Sequence, residues 1–178
     1  MATSATSSNG NGFHTLWGLT RIALGLIFLW AFFDKLFGLT YTTAEASSWL
    51  NGGHPTQGYL SSSYGPLADM FHGMAGNGIV DFLFMAGLLL IGVGLTLGIA
   101  NKLSCWSGAL MMLMMYASHP IALADAYDQP HGSHPFMDDH IVYALVLMAM
   151  AAGNAGRYLG LSAKWQRMAL VRKNDFLA

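Results

Sequence analysis

Four long apolar stretches separated by polar segments organise this chain: roughly Leu16–Leu39, Ile79–Ala100, Ser104–Ala124 and Asp139–Leu159. A hydrocarbon layer about 30 Å thick needs roughly 20 apolar residues in a helix, and each stretch is long enough. The apolar positions run continuously instead of alternating, so they predict helices, not the strands of a barrel. The expected fold is an all-α membrane protein, a four-transmembrane-helix bundle over residues 15–160.

The polar segments fill in the rest. Thr40–Gly78 is too polar to span. Within it, Thr43–Leu50 and Pro66–Gly73 predict short helices, the second with proline at its first position. We expect this segment, residues 40–78, to lie as a lid over the outer mouth of the bundle. The serine-, threonine-, asparagine- and glycine-rich start, residues 1–14, predicts a disordered cytoplasmic tail; it lacks the basic stretch of a cleaved leader. Residues 161–178 mix Trp165, Met168 and Leu170 with basic side chains and predict an amphipathic helix on an anionic inner leaflet.

Composition agrees: 54% of residues are hydrophobic and 10% charged, against about a quarter charged in soluble domains. The net charge of −1 gives nucleic acid nothing to bind. A single cysteine, Cys105, excludes an internal disulfide, a paired-thiol redox motif and a cysteine-held iron–sulfur cluster within the chain. Its expected role is packing, as is that of the inner methionines Met111, Met112, Met114, Met115, Met148 and Met150. Lys102 follows the second stretch, and Arg157, Lys164, Arg167, Arg172 and Lys173 cluster near the end of the fourth and beyond it, whereas Thr40–Gly78 and Asp125–Asp138 have no lysine or arginine. The positive-inside rule then puts both termini in the cytoplasm and both long loops outside, in a bacterial inner membrane. Gly94 with Gly98, and Ala149 with Gly153, are small-residue pairs suited to close helix packing.

The chemistry gathers at the outer end. Asp34 and Lys35 close the first stretch, Asp81 opens the second, His119 lies near the end of the third, and Asp138, Asp139 and His140 open the fourth. Arg21, nearer the inner side, reads as an interface anchor. Ionisable groups at membrane depth are costly and mark function by default. One reading is structural: Lys35 pairs with Asp34 or Asp139, and Asp138 and Asp139 cap a helix start. A second is a metal held by His131, His134 and His140, with Asp138 and Asp139 as oxygen donors. A third is a substrate or quinone pocket in which Lys35 and His140 bind an anion or carbonyl, Asp34, Asp81 and Asp139 move protons, and Tyr143 and Trp30 contact the quinone.

Four passages carry a family resemblance. They are Arg21-Ile-Ala-Leu-Gly25-Leu-Ile-Phe28 through Asp34-Lys35-Leu-Phe-Gly38; Trp49-Leu-Asn-Gly-Gly53-His-Pro55-Thr-Gln-Gly58-Tyr-Leu60; Gly92-Val-Gly-Leu-Thr-Leu-Gly98; and Pro135-Phe-Met-Asp138-Asp-His140-Ile-Val-Tyr143 through Gly156-Arg-Tyr-Leu-Gly-Leu161. Over roughly Thr15 to Lys164 the chain resembles the DoxX/DoxD family of membrane proteins. The last passage is the most specific. One departure is His134, where the family pattern has asparagine before Pro-Phe. The resemblance implies a four-helix membrane fold and, for some members, the membrane subunit of a thiosulfate:quinone oxidoreductase that works with a second subunit. It implies no residue roles.

The expected function is a membrane subunit passing electrons from a reduced sulfur compound, thiosulfate foremost, to quinone at an outer-facing pocket. It would act with a redox partner protein or larger membrane complex that supplies what this chain lacks. The alternatives are a non-catalytic membrane scaffold of a redox or respiratory complex, and a proton-coupled carrier. The carrier is disfavoured because the sequence shows no internal repeat and no ionisable groups along the inner half.

Overall fold

The computed structural model describes residues 6–130, 134–174 and 176, which form helices and connecting turns with no strand. Three helical segments, Gly12–Phe37, Gly78–Leu97 and Asn101–Tyr127, are long and apolar enough to cross a membrane. They belong to α1 (Thr6–Phe37), α4 (Gly78–Leu97) and α5 (Asn101–Ser118), the last extended by a 3₁₀ turn at Ile121–Tyr127. Between α1 and α4 lie the short helices α2 (Gln57–Ser61) and α3 (Ala68–Met74). A fourth apolar helix, α6, covers only Asp139–Ala152. At about 1.5 Å per residue it falls short of a hydrocarbon layer on its own.

α1 begins at Thr6 and takes in much of the stretch expected as a tail. α6 stops early because Gly153 and Asn154 follow it, Asn154 in the left-handed region at φ +49°. The expected helix over Thr43–Leu50 is instead two 3₁₀ turns, Glu45–Ser47 and Trp49–Asn51. The expected helix over residues 66–73 is present as α3, and α2 was not foreseen. In place of one amphipathic helix, the C-terminal segment holds two single turns, α7 (Ser162–Trp165) and α8 (Ala169–Arg172).

Local chemistry sets the helix ends. The Asn77 side chain caps α4 by accepting from Ile79 N–H at 2.9 Å, and Asp138 caps α6 by accepting from Ile141 N–H at 3.1 Å. Gly98, at φ +69°, closes α4 and opens the three-residue turn into α5. We call this the link end of the bundle. The opposite end, where α1 stops and α4 starts, is the loop end.

The helices pack mainly as two pairs, α1 on α4 and α5 on α6. Leu24 and Phe28, Met85 and Leu95, Ala109 and Met112, and Leu147 and Met150 fill the space between them. The first pair is close at two glycines. A Cβ on Gly25 would lie 2.6 Å from Thr96 N, and one on Gly92 would lie 2.7 Å from Leu29 Cγ. The Gly94–Gly98 pair does something else: Gly94 makes room for Ser104 at the start of α5, and Gly98 for the Arg21 guanidinium. Gly153 lies against Trp17, so that site does bring α6 close to α1.

Arg21 is no interface anchor. It is fully buried, and its guanidinium donates to the carbonyls of Leu95 and Thr96 (3.2 Å) at the end of α4, and of Tyr158 (3.0 Å) and Leu159 (3.1 Å) beyond α6. Buried backbone carbonyls outside a helix need donors from elsewhere in the protein. Arg21 supplies them for the segment after α6, and Leu161 N–H adds a bond to Leu97 O at 2.8 Å. Large apolar side chains, among them Leu26, Phe33, Leu90, Trp106 and Leu145, coat the outside.

Candidate functional site

Two buried aspartates hold the loop whose residues line part of the site. Asp34, at the last turn of α1, accepts from Tyr41 N–H (3.1 Å), Thr42 N–H (3.0 Å) and the Thr42 hydroxyl (2.5 Å). Asp81, in the first turn of α4, accepts from Thr56 N–H (3.0 Å), the Thr56 hydroxyl (2.6 Å) and His54 Nδ1 (2.7 Å). The same device is used twice: a carboxylate at a helix end grips a threonine by its amide and its hydroxyl. The loop is tied to α5 as well, through Tyr64 N–H to Ser118 O (3.0 Å) and Tyr59 Oη to Met115 O (3.2 Å).

Residues of this loop and of the helices line a cavity of about 1160 Å³. Its polar end carries Lys35, His54, Tyr59, His140 and Tyr143, with threonine and serine hydroxyls among them. Among the described residues, no carboxylate lines it. Its deeper wall is apolar, built from leucine, phenylalanine and methionine side chains of α1, α4 and α5. The cavity is thus amphiphilic, with its positive and hydrogen-bonding groups at one end.

Both histidines of the lining are held by aspartates. His54 Nδ1 lies 2.7 Å from Asp81, and His140 Nδ1 lies 2.6 Å from Asp138. A carboxylate can only accept, so Nδ1 carries the hydrogen in each ring. That leaves Nε2 as acceptor in the neutral ring and as a second donor in the cation. Asp138 also caps α6 through its other oxygen. Lys35 Nζ reaches the Thr42 hydroxyl at 3.5 Å, the same hydroxyl that donates to Asp34.

Behind α2 stands a second cluster. His119 lies 3.0 Å from Ser118 Oγ and 3.2 Å from Ser62 Oγ, with the Tyr59 ring 4.3 Å and the Tyr64 ring 5.5 Å away. Burial, reinforced by the charge of Asp138, pushes the phenols of Tyr59 and Tyr64 above the ordinary tyrosine value. Both therefore stay neutral donors through the physiological range.

The sequence candidates divide. Lys35, His140 and Tyr143 meet in the cavity. Asp34 and Asp81 lie behind it; their oxygens are taken up by the loop, so neither is free to carry protons as expected. Asp139 is exposed and lies outside the cavity lining. Trp30 is 49% exposed on the outer face of α1, against Tyr41, and does not line the cavity either. His131 lies outside the described residues. His134 is exposed and its Nδ1 accepts from Phe136 and Met137 N–H at 3.2 Å each. Among the described residues no group of three histidine, cysteine or acidic side chains is placed to hold a metal. Sequence reasoning missed His54 and Tyr59 as site residues, and offered Asp138 as a cap or a metal's oxygen donor, not as the partner of His140. For His54 the signal was its place before Pro55 in a loop rich in turn residues, but its partner Asp81 is 27 positions away. No family model, curated protein or solved structure matches the chain.

Proposed function

We propose that this protein is the quinone-binding membrane subunit of an oxidoreductase that takes electrons from a reduced sulfur compound, thiosulfate in the first instance. In this reading α6 and the segment after it complete a fourth span in a bacterial inner membrane, with both termini cytoplasmic and the loop end outside. The observation that carries the reading is the polarity of the cavity. One end offers a cation, two imidazoles and two phenols with no carboxylate among them, and an apolar shaft lies beneath. A quinone has this layout: carbonyl oxygens that accept hydrogen bonds and gain negative charge on reduction, and a greasy body.

The chemistry balances simply. Two thiosulfates join through a new S–S bond and give up two electrons; a quinone takes those electrons and two protons to become a quinol. A partner protein carries the sulfur chemistry and delivers the electrons. This chain's residues hold the quinone oxygens and supply protons. His54 and His140 are the proton donors, each oriented and recharged through its Asp-held ring. Lys35 stabilises charge on the oxygen nearest it.

The test is thiosulfate-dependent quinone reduction in membranes containing the protein and its partner. Lys35→Met and the paired His54→Gln, His140→Gln variant are expected to lower the rate at least about tenfold. Unchanged rates in both would remove the cavity from the reaction. Stable co-purification with a partner but no turnover would leave a scaffold in place of an enzyme.

A further inference from the structure

The cavity is not closed off from the flank of the bundle. Leu83 on α4 and Leu110 and Met114 on α5 line it, yet they are 63, 61 and 45% exposed. Gly87 of α4 meets Met111 of α5; Leu83 lies one turn from Gly87 on α4, and Leu110 and Met114 flank Met111 on α5. At the link end the seam between α4 and α5 is shut, with Ser104 packed against Gly94 and a three-residue turn joining the helices. Higher up, at Gly87, it is shut differently. A Cβ there would lie 2.6 Å from Met111 Cε, so the tip of a flexible thioether side chain occupies the notch that the glycine leaves. One turn further toward the loop end are Leu83 and Met114. The seam passes from a fixed backbone contact, to a movable side chain, to an open apolar lip.

We propose that the ligand of this site carries a long apolar chain, and that the chain lies out through the α4–α5 seam into the bilayer, with Met111 in the Gly87 notch as its movable sill. The inference rests on the quinone reading and specifies it: the ligand is a lipid-phase quinone with an alkyl or isoprenoid tail, not a water-soluble one. The polar end of the cavity is lined in part by a loop tied to α1, α4 and α5. A head group arriving from water would have to displace that loop, whereas one arriving sideways need only move Met111.

The experiment compares two benzoquinones of the same head, one with a decyl tail and one without a tail, titrated against the full chain in lipid nanodiscs. Gly87→Leu fills the notch, and Leu110→Trp narrows the lip from an exposed position that the fold tolerates. Both variants are expected to weaken binding of the tailed quinone at least about tenfold and to leave the tail-less one within about twofold of wild type. Equal loss for both quinones, or no loss for either, with wild type binding both, overturns the lateral route and leaves the quinone reading intact. Wild type that binds neither overturns the quinone reading and this inference together.

Discussion

Replacing Asp81 with asparagine separates two jobs that one carboxylate performs. Asp81 accepts three hydrogen bonds, two from Thr56 and one from His54. Hydrogen bonds to a charged acceptor contribute about 1.5–3 kcal/mol each and neutral ones about 0.5–1.5. An asparagine that keeps its oxygen toward Thr56 weakens those two by about 1 kcal/mol apiece. Its amide N–H₂ then faces His54 Nδ1, donor against donor. The ring must move its hydrogen to Nε2 and accept at Nδ1, which costs about another 1 kcal/mol. The loop anchor should therefore loosen by about 3 kcal/mol, or roughly 10²-fold in local opening. Hydrogen exchange read on a peptide over residues 53–60, in nanodiscs, measures that opening directly. Nitrogen NMR of the labelled imidazoles reports the tautomer. Quinone reduction should fall because the His54 ring loses the carboxylate that orients and recharges it. Exchange within about threefold of wild type, with His54 still protonated at Nδ1, would refute the anchoring argument.

Four further outcomes follow from the same geometry. Arg21→Met should cost at least about 3 kcal/mol in thermal unfolding in detergent, because it strands buried carbonyls at two chain segments, and Arg21→Lys should recover only part, since a compact ammonium cannot serve both pairs. Gly92→Val should lower the melting temperature by several degrees, because a side chain there has no room beside Leu29. Folding favours the neutral phenols of Tyr59 and Tyr64, whose values lie above the ordinary one, so their stability contribution is whole below about pH 10 and is lost as pH climbs through the raised values; a Tyr59→Phe, Tyr64→Phe variant should flatten that alkaline decline in a melting series. Asp139→Asn and Trp30→Phe should leave quinone affinity within about twofold, as neither side chain reaches the cavity.

The long apolar helices were legible because membrane burial writes a long, nearly uncharged run into the sequence. α1, α4 and α5 lie where those runs predict. The fourth run misled at its far half. Its residues are apolar through Leu159, but Gly153 and Asn154 end the helix, and Arg21, over 130 positions earlier, satisfies the carbonyls that follow. No local pattern carries that exchange. The site was half legible for a similar reason. Charge gathered at one end of the chain's helices could be seen, and Lys35, His140 and Tyr143 do meet there. That Asp34 and Asp81 serve a loop and not the cavity could not be seen, because Thr42 and Thr56 look like ordinary turn residues in the sequence. Asp138 reads in the sequence as a helix cap or a metal's oxygen donor; it is the cap, and its second oxygen, on His140, adds a role that neither reading suggests.

The Arg21 clamp has a consequence for biogenesis. Its partners at Leu95 and Thr96 leave the ribosome long after it does, and those at Tyr158 and Leu159 more than 130 residues after it. Until then the guanidinium on α1 lacks its full set of carbonyl acceptors while the rest of the bundle is made. Completion of the C-terminal region thereby locks the N-terminal helix, and a nascent chain cut short before Tyr158 should be handed to quality control as unfinished.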